Sequence, residues 1–328
     1  MPRTGQITEE YLLALTPRDC LWNFHFTALE ILELAKVFDI PDPFKTHNQY
    51  AFLAVEALAL LLACFHLGCD QFELVSKYQQ YQLSLSEFFN ELIEYLDKRW
   101  AHLLNCNSEG VLHPDQLLIY VDVITAHSAP LTNCFAFLDC TIQEICCPSV
   151  DQEVCYNRYK KIHALKTSMG TFEGQRNNNY LLKSSNILPQ LAEFAFWPGI
   201  PEDAPIHECN LIVFRDPAYR CNAHLASPFS NDNITQEQCE WNQEMLQVQI
   251  EVEHGFRVVV NNFPFLNVFQ KMQIFTSPVR HYYQIGVLLT NALNCFHPNQ
   301  VSQRFDCPPP LINEYFCNSG IDNEDNYM

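Results

Sequence analysis

Glycine is scarce, nine residues in 328. None falls in a Gly-rich run able to cradle a nucleotide phosphate, and no Gly-x-Ser-x-Gly turn occurs, which removes the usual α/β-hydrolase reading. Cysteine is plentiful at fifteen residues, yet no Cys-x-x-Cys pair is present. Cys146-Cys147 and Cys64 with Cys69 lack ligand spacing, and His207-Glu-Cys209 is an isolated fragment, so no zinc framework is legible. The first ten residues, Met1-Pro-Arg-Thr-Gly-Gln-Ile-Thr-Glu-Glu, lack the apolar core of a signal peptide. An odd number of cysteines in such a chain fits reduced thiols in the cytosol or nucleus. Positive charge is also in deficit: 19 Lys and Arg stand against 38 Asp and Glu, a formal net charge of −19. The deficit is spread evenly, 7 basic and 17 acidic side chains in residues 1–130 and 12 and 21 in 131–328. Affinity for nucleic acid rests largely on Lys and Arg neutralising phosphates, so neither half reads as a self-sufficient DNA binder.

What is present is apolar content of 48% with 13% aromatics, enough for a sizeable core and about two domains. From Ala28 to about Ala126 the pattern is helical. The most apolar stretch, Ala51 to Gly68, approaches the length of a membrane span, but Glu56 near its middle and His66 near its end favour a buried core helix. Phe72 to Leu96 reads as two amphipathic segments broken near Tyr81-Gln-Leu-Ser-Leu-Ser, with Ser84 or Ser86 placed to cap the second. That spacing suits a helix-turn-helix, although Glu87, Glu91, Glu94 and Asp97 crowd the second helix and favour an ordinary helical hairpin. Beyond Ser128 the composition shifts to β-branched and aromatic runs, Phe135 to Leu138, Ile162 to Leu165 and Leu211 to Phe214. A helical pattern, Ser184 to Phe196, lies between the last two. Strand, helix, strand implies a sheet covered by helices. Gln236 to Val260 reads as one long helix with Trp241, Met245, Val248, Val252 and Phe256 on one face, and Tyr282 to Phe296 as another.

Three acids stand apart from ordinary surface charge. Asp139 closes Phe135-Ala-Phe-Leu-Asp, Asp216 closes Leu211-Ile-Val-Phe-Arg-Asp, and Glu253 lies on the long helix. Strand ends meeting a helix would gather them into the all-oxygen site that hard divalent cations prefer, and two such ions about 4 Å apart stabilise the attacking and leaving oxygens of a phosphodiester. An Asp ending a strand is also a common turn starter or helix cap. Tyr156-Asn-Arg-Tyr-Lys-Lys-Ile-His-Ala-Leu-Lys166 reverses the local charge with four bases and no acid. It is equally a solvated strand face and a phosphate-facing patch.

Taken in order, the segments around these acids resemble the PIF/Harbinger class of DDE transposases and their domesticated nuclease relatives. Phe137-Leu-Asp-Cys-Thr141 is similar to that family's strand ending in Asp-Gly-Thr, and Val154 to Lys166 to its Tyr-x-x-x-Lys-Arg-x-His-Ala-Leu-Lys segment. Phe172-Glu-Gly-Gln-Arg-Asn-Asn-Asn179, Asp216-Pro-Ala-Tyr219, His224-Leu-Ala-Ser-Pro-Phe229, Val252-Glu-His254, Leu288-Leu-Thr-Asn-Ala292 and Cys307-Pro-Pro-Pro-Leu311 follow in family order. The resemblance runs from about Leu29 to Phe316. It implies an α/β fold, an RNase H-like mixed sheet with flanking helices, preceded by an all-α N-terminal domain. The implied division is a helical domain over 1–130 with a candidate helix-turn-helix, an RNase H-like DDE catalytic domain over 131–317, and a disordered tail over 318–328. It implies Asp139, Asp216 and Glu253 as catalytic metal ligands for a pair of Mg²⁺ or Mn²⁺ ions, Asp139 bridging both. DNA is then the substrate, with Arg158, Lys160, Lys161, Lys166 and Arg176 as candidate DNA contacts.

The chain departs from the family pattern near the acids. Cys140 and Arg215 replace glycines and are expected to add bulk at the mouth of the site; Asn177-Asn178 replaces a His-Asp pair, and His254 a Trp. Only Thr167-Ser-Met-Gly-Thr171 separates Lys166 from Phe172, where the family has a strand, a turn and another strand. Five residues cannot supply these, so the third strand of the sheet is expected to be truncated, with a sheet edge exposed and the strand carrying Asp139 loosened. The implied function is a transposase-derived, metal-dependent DNA endonuclease, impaired in this copy. The alternative is a catalytically inactive domesticated or decayed transposase acting as a protein- or DNA-interaction module. The acidic charge fits a separate Myb-like partner supplying DNA affinity. Homo-oligomerisation is compatible with the family, no membrane association is expected, and the expected location is nuclear, or cytoplasmic with import by a partner.

Overall fold

A computed structural model describes residues 6–68, 71–105, 112–127, 129–168, 171–197, 209–217, 222–230 and 233–317, the side chains of 251–253 excepted. The expected tail, 318–328, lies outside these residues. The N-terminal part is built from α1 (Glu9–Ala14), α2 (Pro17–Phe24), α3 (Ala28–Val37), α4 (Ala54–Leu67), α5 (Gln71–Tyr78) and α6 (Gln82–Trp100). It is not purely helical: β1 (Phe44–Lys45) and β2 (Ala51–Phe52) form a small antiparallel hairpin. Thr27 and Glu30 close a reciprocal capping box at the start of α3, which satisfies two backbone donors that a helix otherwise leaves open. α4 is buried over nearly its whole length, and no described helix is long and apolar enough to cross a membrane. Its Glu56, 2% exposed, is tolerated because Gln6 Nε2 and Gln80 Nε2 donate to its carboxylate at 3.1 and 2.9 Å.

The helical pair α5–α6 is a core hairpin. α6 buries Leu85, Phe88, Phe89, Leu92, Ile93, Leu96 and Trp100, and its Glu87 and Glu91 accept from the backbone N–H groups of Asn48 and His47 in the β1–β2 loop. Neither Ser84 nor Ser86 caps α6. Tyr81 stands at its N-cap, and Ser84 Oγ donates back to the Tyr81 carbonyl at 2.8 Å, the local side-chain bond that serine offers in competition with capping.

After α7 (Pro114–Ala126) the sheets begin. β3 (Cys134–Leu138) is followed two residues later by β4 (Thr141–Glu144), then α8 (Gln152–Cys155), β5 (Tyr156–Asn157), β6 (Ile162–Thr167) and β7 (Thr171–Glu173). α9 (Asn178–Ser184) and α10 (Ile187–Phe194) lead to β8 (Ile212–Arg215) and β9 (Leu225–Ala226). β3, β8 and β9 form one parallel sheet in that order, while β4, β6 and β5 form an antiparallel one with β7 on β6. α11 (Gln236–Asn262), α12 (Val279–Phe296), α13 (Gln300–Arg304) and α14 (Ile312–Tyr315) complete the chain.

Side chains alternate across a strand, and here, with an irregularity between Cys134 and Ala136 that shifts the phase within β3, they meet a different layer on each face. Phe135, Leu138, Val213 and Leu225 pack with Leu117 and Val121 of α7 and with Leu182, Ile187 and Leu191 of α9 and α10. Cys134 and Phe214 pack on the other face with Met245 and Val248 of α11, joined by Phe137 and Trp241. The β3–β8–β9 sheet is thus the middle layer of a helix–sheet–helix sandwich. The largest core is a third one, in which α1 to α6 pack against Val259, Phe263, Phe265, Tyr282, Leu288 and Leu289 from the C-terminal part.

Candidate active site

Parallel pairing sets the geometry at the acids. The register aligns Phe137 with Phe214 and Leu138 with Arg215, so Asp139 and Asp216 each follow the last paired residue of neighbouring strands. Adjacent strands lie about 4.8 Å apart. The two carboxylate-bearing residues therefore leave the sheet side by side at its C-terminal edge. Alternation continues from Phe137 and Phe214, whose rings meet at 6.2 Å, so both acids fall on the α11 side of the sheet. The N-terminal ends of the same strands are pinned: Asn133 Nδ2 donates to the Asn210 carbonyl at 2.8 Å, and His224 Nδ1 meets the Leu211 carbonyl at 3.1 Å. Asp139 is half-buried and Asp216 exposed. Asp139 Oδ1 accepts the Cys140 N–H at 2.7 Å, and the Asp139 carbonyl accepts from Ser168 Oγ at 2.7 Å.

Glu253 belongs to α11, the helix whose Met245 and Val248 cover this face; its side chain lies outside the described residues. Among the described residues no group of three or more His, Cys, Asp or Glu side chains is gathered so that it could hold a metal ion. Asp139 and Asp216 do offer the hard oxygen donors that Mg²⁺ and Mn²⁺ prefer, at one strand-to-strand spacing.

The basic residues divide into two groups. Arg158, Lys160 and Lys161 occupy the exposed β5–β6 turn, Arg158 with Glu153 at 3.8 Å. Lys166 and Arg176, both half-buried, are engaged by local structure. Lys166 Nζ donates to the Arg176 carbonyl at 2.7 Å, and the Arg176 guanidinium pairs with Glu173 at 3.3 Å and lies 4.5 Å from the Tyr180 ring centroid.

Arg215 does not add bulk at the mouth. It is 0% exposed, and its Nη1 donates to the Asp216 carbonyl at 3.0 Å. Being next to Leu138 in register, it falls on the sheet face opposite the acids. Cys140 is half-buried. Burial pushes its thiol up to about 11, Lys166 pulling it down and Asp139 adding to the rise. Asn177, one of the replacements, caps α9 by accepting the Tyr180 N–H at 2.8 Å. Two neighbours of the site carried no signal in the sequence: Ser168, which holds the Asp139 carbonyl, and Tyr283 of α12, a buried phenol raised by desolvation with a contribution from Cys140.

Residues 138–291 match the family model of the DDE superfamily endonucleases. The matched segment opens one residue before Asp139 and contains all three acids. No curated protein and no solved structure matches the chain. The match supports a transposase-like nuclease domain of the DDE superfamily, with DNA as substrate and divalent metals as the usual cofactors of that superfamily. The mixed architecture, with β8 parallel beside β3, β4–β6–β7 antiparallel and helices on both faces, fits an RNase H-like fold.

Proposed function

We propose that this chain is a transposase-derived DNA endonuclease of PIF/Harbinger type, in which Asp139, Asp216 and Glu253 hold a pair of Mg²⁺ or Mn²⁺ ions. The observation that carries the reading is the one-residue alignment of Asp139 and Asp216 at adjacent parallel strand ends, inside a segment that matches the DDE superfamily. Bound divalent ions would supply an activated water or 3′-hydroxyl and stabilisation of the leaving oxygen. The chain's own residues orient that chemistry. Ser168 fixes the Asp139 backbone, the buried Arg215 fixes the Asp216 carbonyl, and Arg158, Lys160 and Lys161 offer phosphate contacts. With a chain charge of −19, a Myb-like partner supplies much of the DNA affinity, in the nucleus.

A second reading has its own observation. β7 is only three residues long and β3 pairs with β8 alone among the described residues, which favours a weakened nuclease or an inactive interaction module.

Calorimetric titration with Mn²⁺ separates the two. Wild type is expected to bind Mn²⁺ and to nick DNA in its presence, with Asp139→Asn and Asp216→Asn each losing at least about tenfold in metal affinity, the order seen when ligand shells are disturbed. Equal binding by wild type and Asp139→Asn would overturn the metal assignment. Metal binding without nicking would leave the second reading standing.

A further inference from the structure

The β5–β6 turn presents an aromatic ring between cations on a hydrogen-bonded reversal. Tyr159 is 86% exposed, the most exposed large apolar side chain among the described residues. Arg158, Lys160 and Lys161 around it are exposed as well, and Lys160 Nζ lies 5.6 Å from the Tyr159 ring centroid. The turn is held from beneath by Asn157, itself 4% exposed. Asn157 accepts the Lys160 N–H on Oδ1 at 2.9 Å and the Lys161 N–H on its carbonyl at 2.7 Å, and its Nδ2 donates to the Gly174 carbonyl at 3.0 Å. Lys161 takes a left-handed conformation, φ 60°, which closes the reversal. These bonds order the backbone of the turn that carries Tyr159, so less loop-ordering entropy is lost when it meets a ligand.

The surroundings specify the ligand. Three cations within four residues, in a chain of net charge −19, select a polyanion. A ring 86% exposed among them selects a flat partner. Base faces inside a duplex are covered by their neighbours, whereas unpaired bases stack on aromatic side chains while nearby cations follow the backbone. β6 links this turn to the acids: its far end pairs Thr167 with Thr141, and Ser168 beyond it bonds Asp139. At about 3.3 Å per residue the turn stands roughly 20 Å from Asp139 along β6.

We propose that the 158–161 turn is a single-stranded DNA contact, with Tyr159 stacking on an unpaired base and Arg158, Lys160 and Lys161 neutralising the phosphates beside it. This rests on the reading of DNA as substrate but adds a preference for strands with unpaired bases. The test is fluorescence anisotropy with the full chain in EDTA, on a labelled single strand of about 15 nucleotides and on the same sequence as a blunt duplex. Wild type is expected to favour the single strand. Tyr159→Ala should weaken single-strand binding at least about fivefold and leave duplex binding unchanged, while Tyr159→Phe, which keeps the ring, binds as wild type. Lys160→Ala and Lys161→Ala should weaken both forms and each reduce the single-strand salt slope by about 0.7. Unchanged single-strand binding by Tyr159→Ala, or an equal loss on both forms, overturns the stacking role, as does wild-type preference for duplex. Because EDTA removes metal, failure of metal-dependent nicking leaves this result untouched, and failure of stacking leaves the metal site untouched.

Discussion

Gly174 shows how narrowly the hairpin beside the acids is built. A Cβ at this position would lie 2.5 Å from the Cys155 carbonyl oxygen and 2.6 Å from that of Ala164. Both obstacles are backbone, so a strand would have to move to accept it. Gly174→Ala is expected to destabilise the protein by about 1–3 kcal/mol, read from denaturant unfolding; an unchanged midpoint would mean that the β5–β6–β7 unit is looser than this packing implies. The Phe172-Glu-Gly motif was legible in the sequence, but not the reason for its glycine, because the carbonyls that exclude a Cβ come from segments 10 and 19 residues away, Ala164 and Cys155. Arg215 makes the same point in reverse. Its place beside Asp216 suggested a side chain at the mouth, yet the pleat turns it to the opposite face, where it is fully buried. Chain proximity to an acid says nothing about which face of the sheet a side chain takes until the register is known.

The elements that were legible are those with a long, consistent pattern. The apolar α4 and the long α11, whose Thr235–Gln238 capping box marks its start, follow directly from the residues. Ser184 to Phe196 is helical only as α10, Ile187–Phe194, because Asn186 adopts a left-handed conformation, φ 54°, between it and the end of α9 at Ser184, and no apolar period reveals such a break. The short β7 was anticipated from the five residues between Lys166 and Phe172. Thr141 pairs with Thr167 in an antiparallel register, so a β6 that continued would have run past Asp139 and along β3. The chain instead reverses, and Thr171 pairs back onto Thr167. Among the described residues β8 is paired on both sides, by β3 and β9, while β3 is paired on one. Beside β3 lies an apolar groove of about 260 Å³ lined by Tyr120, Val123, Phe135, Phe137, Val248 and Phe305. In native-state hydrogen exchange, amides of β3 are therefore expected to exchange faster than those of β8. Equal, global-level protection of the two strands would show that the shortened hairpin leaves the strand before Asp139 as firmly held as its neighbour.

The whole molecule is joined by the core that α1 to α6 share with the C-terminal helices. Phe265 meets Phe65 at 5.2 Å and Phe89 at 5.5 Å between ring centroids, Trp100 meets Phe316 at 5.3 Å, and Tyr282 donates to Asn90 Oδ1 at 3.2 Å. His281 reaches Asp97 at 2.7 Å and His297 reaches Glu30 at 2.7 Å. The end of α11 is part of this arrangement: Val259 and Phe263 are buried in the shared core, six and ten residues beyond Glu253. The helix that carries the third acid is thereby held at one end by the sheet and at the other by the N-terminal helices. The segment matching the DDE superfamily, 138–291, ends inside that core, at Asn291 of α12. A fragment of residues 131–328 would expose Val259, Phe263, Phe265, Leu266, Leu288 and Leu289 together, and at about 25 cal/mol per Å² the apolar burial lost is large against a typical domain's total stability of about 5–15 kcal/mol. The fragment is expected to bind a hydrophobic dye, to melt without a cooperative transition and to lose Mn²⁺ binding, whereas the full chain melts cooperatively. A cooperative melt at the full chain's temperature, with metal binding intact, would show that the segment matching the DDE superfamily orients α11 without the N-terminal helices.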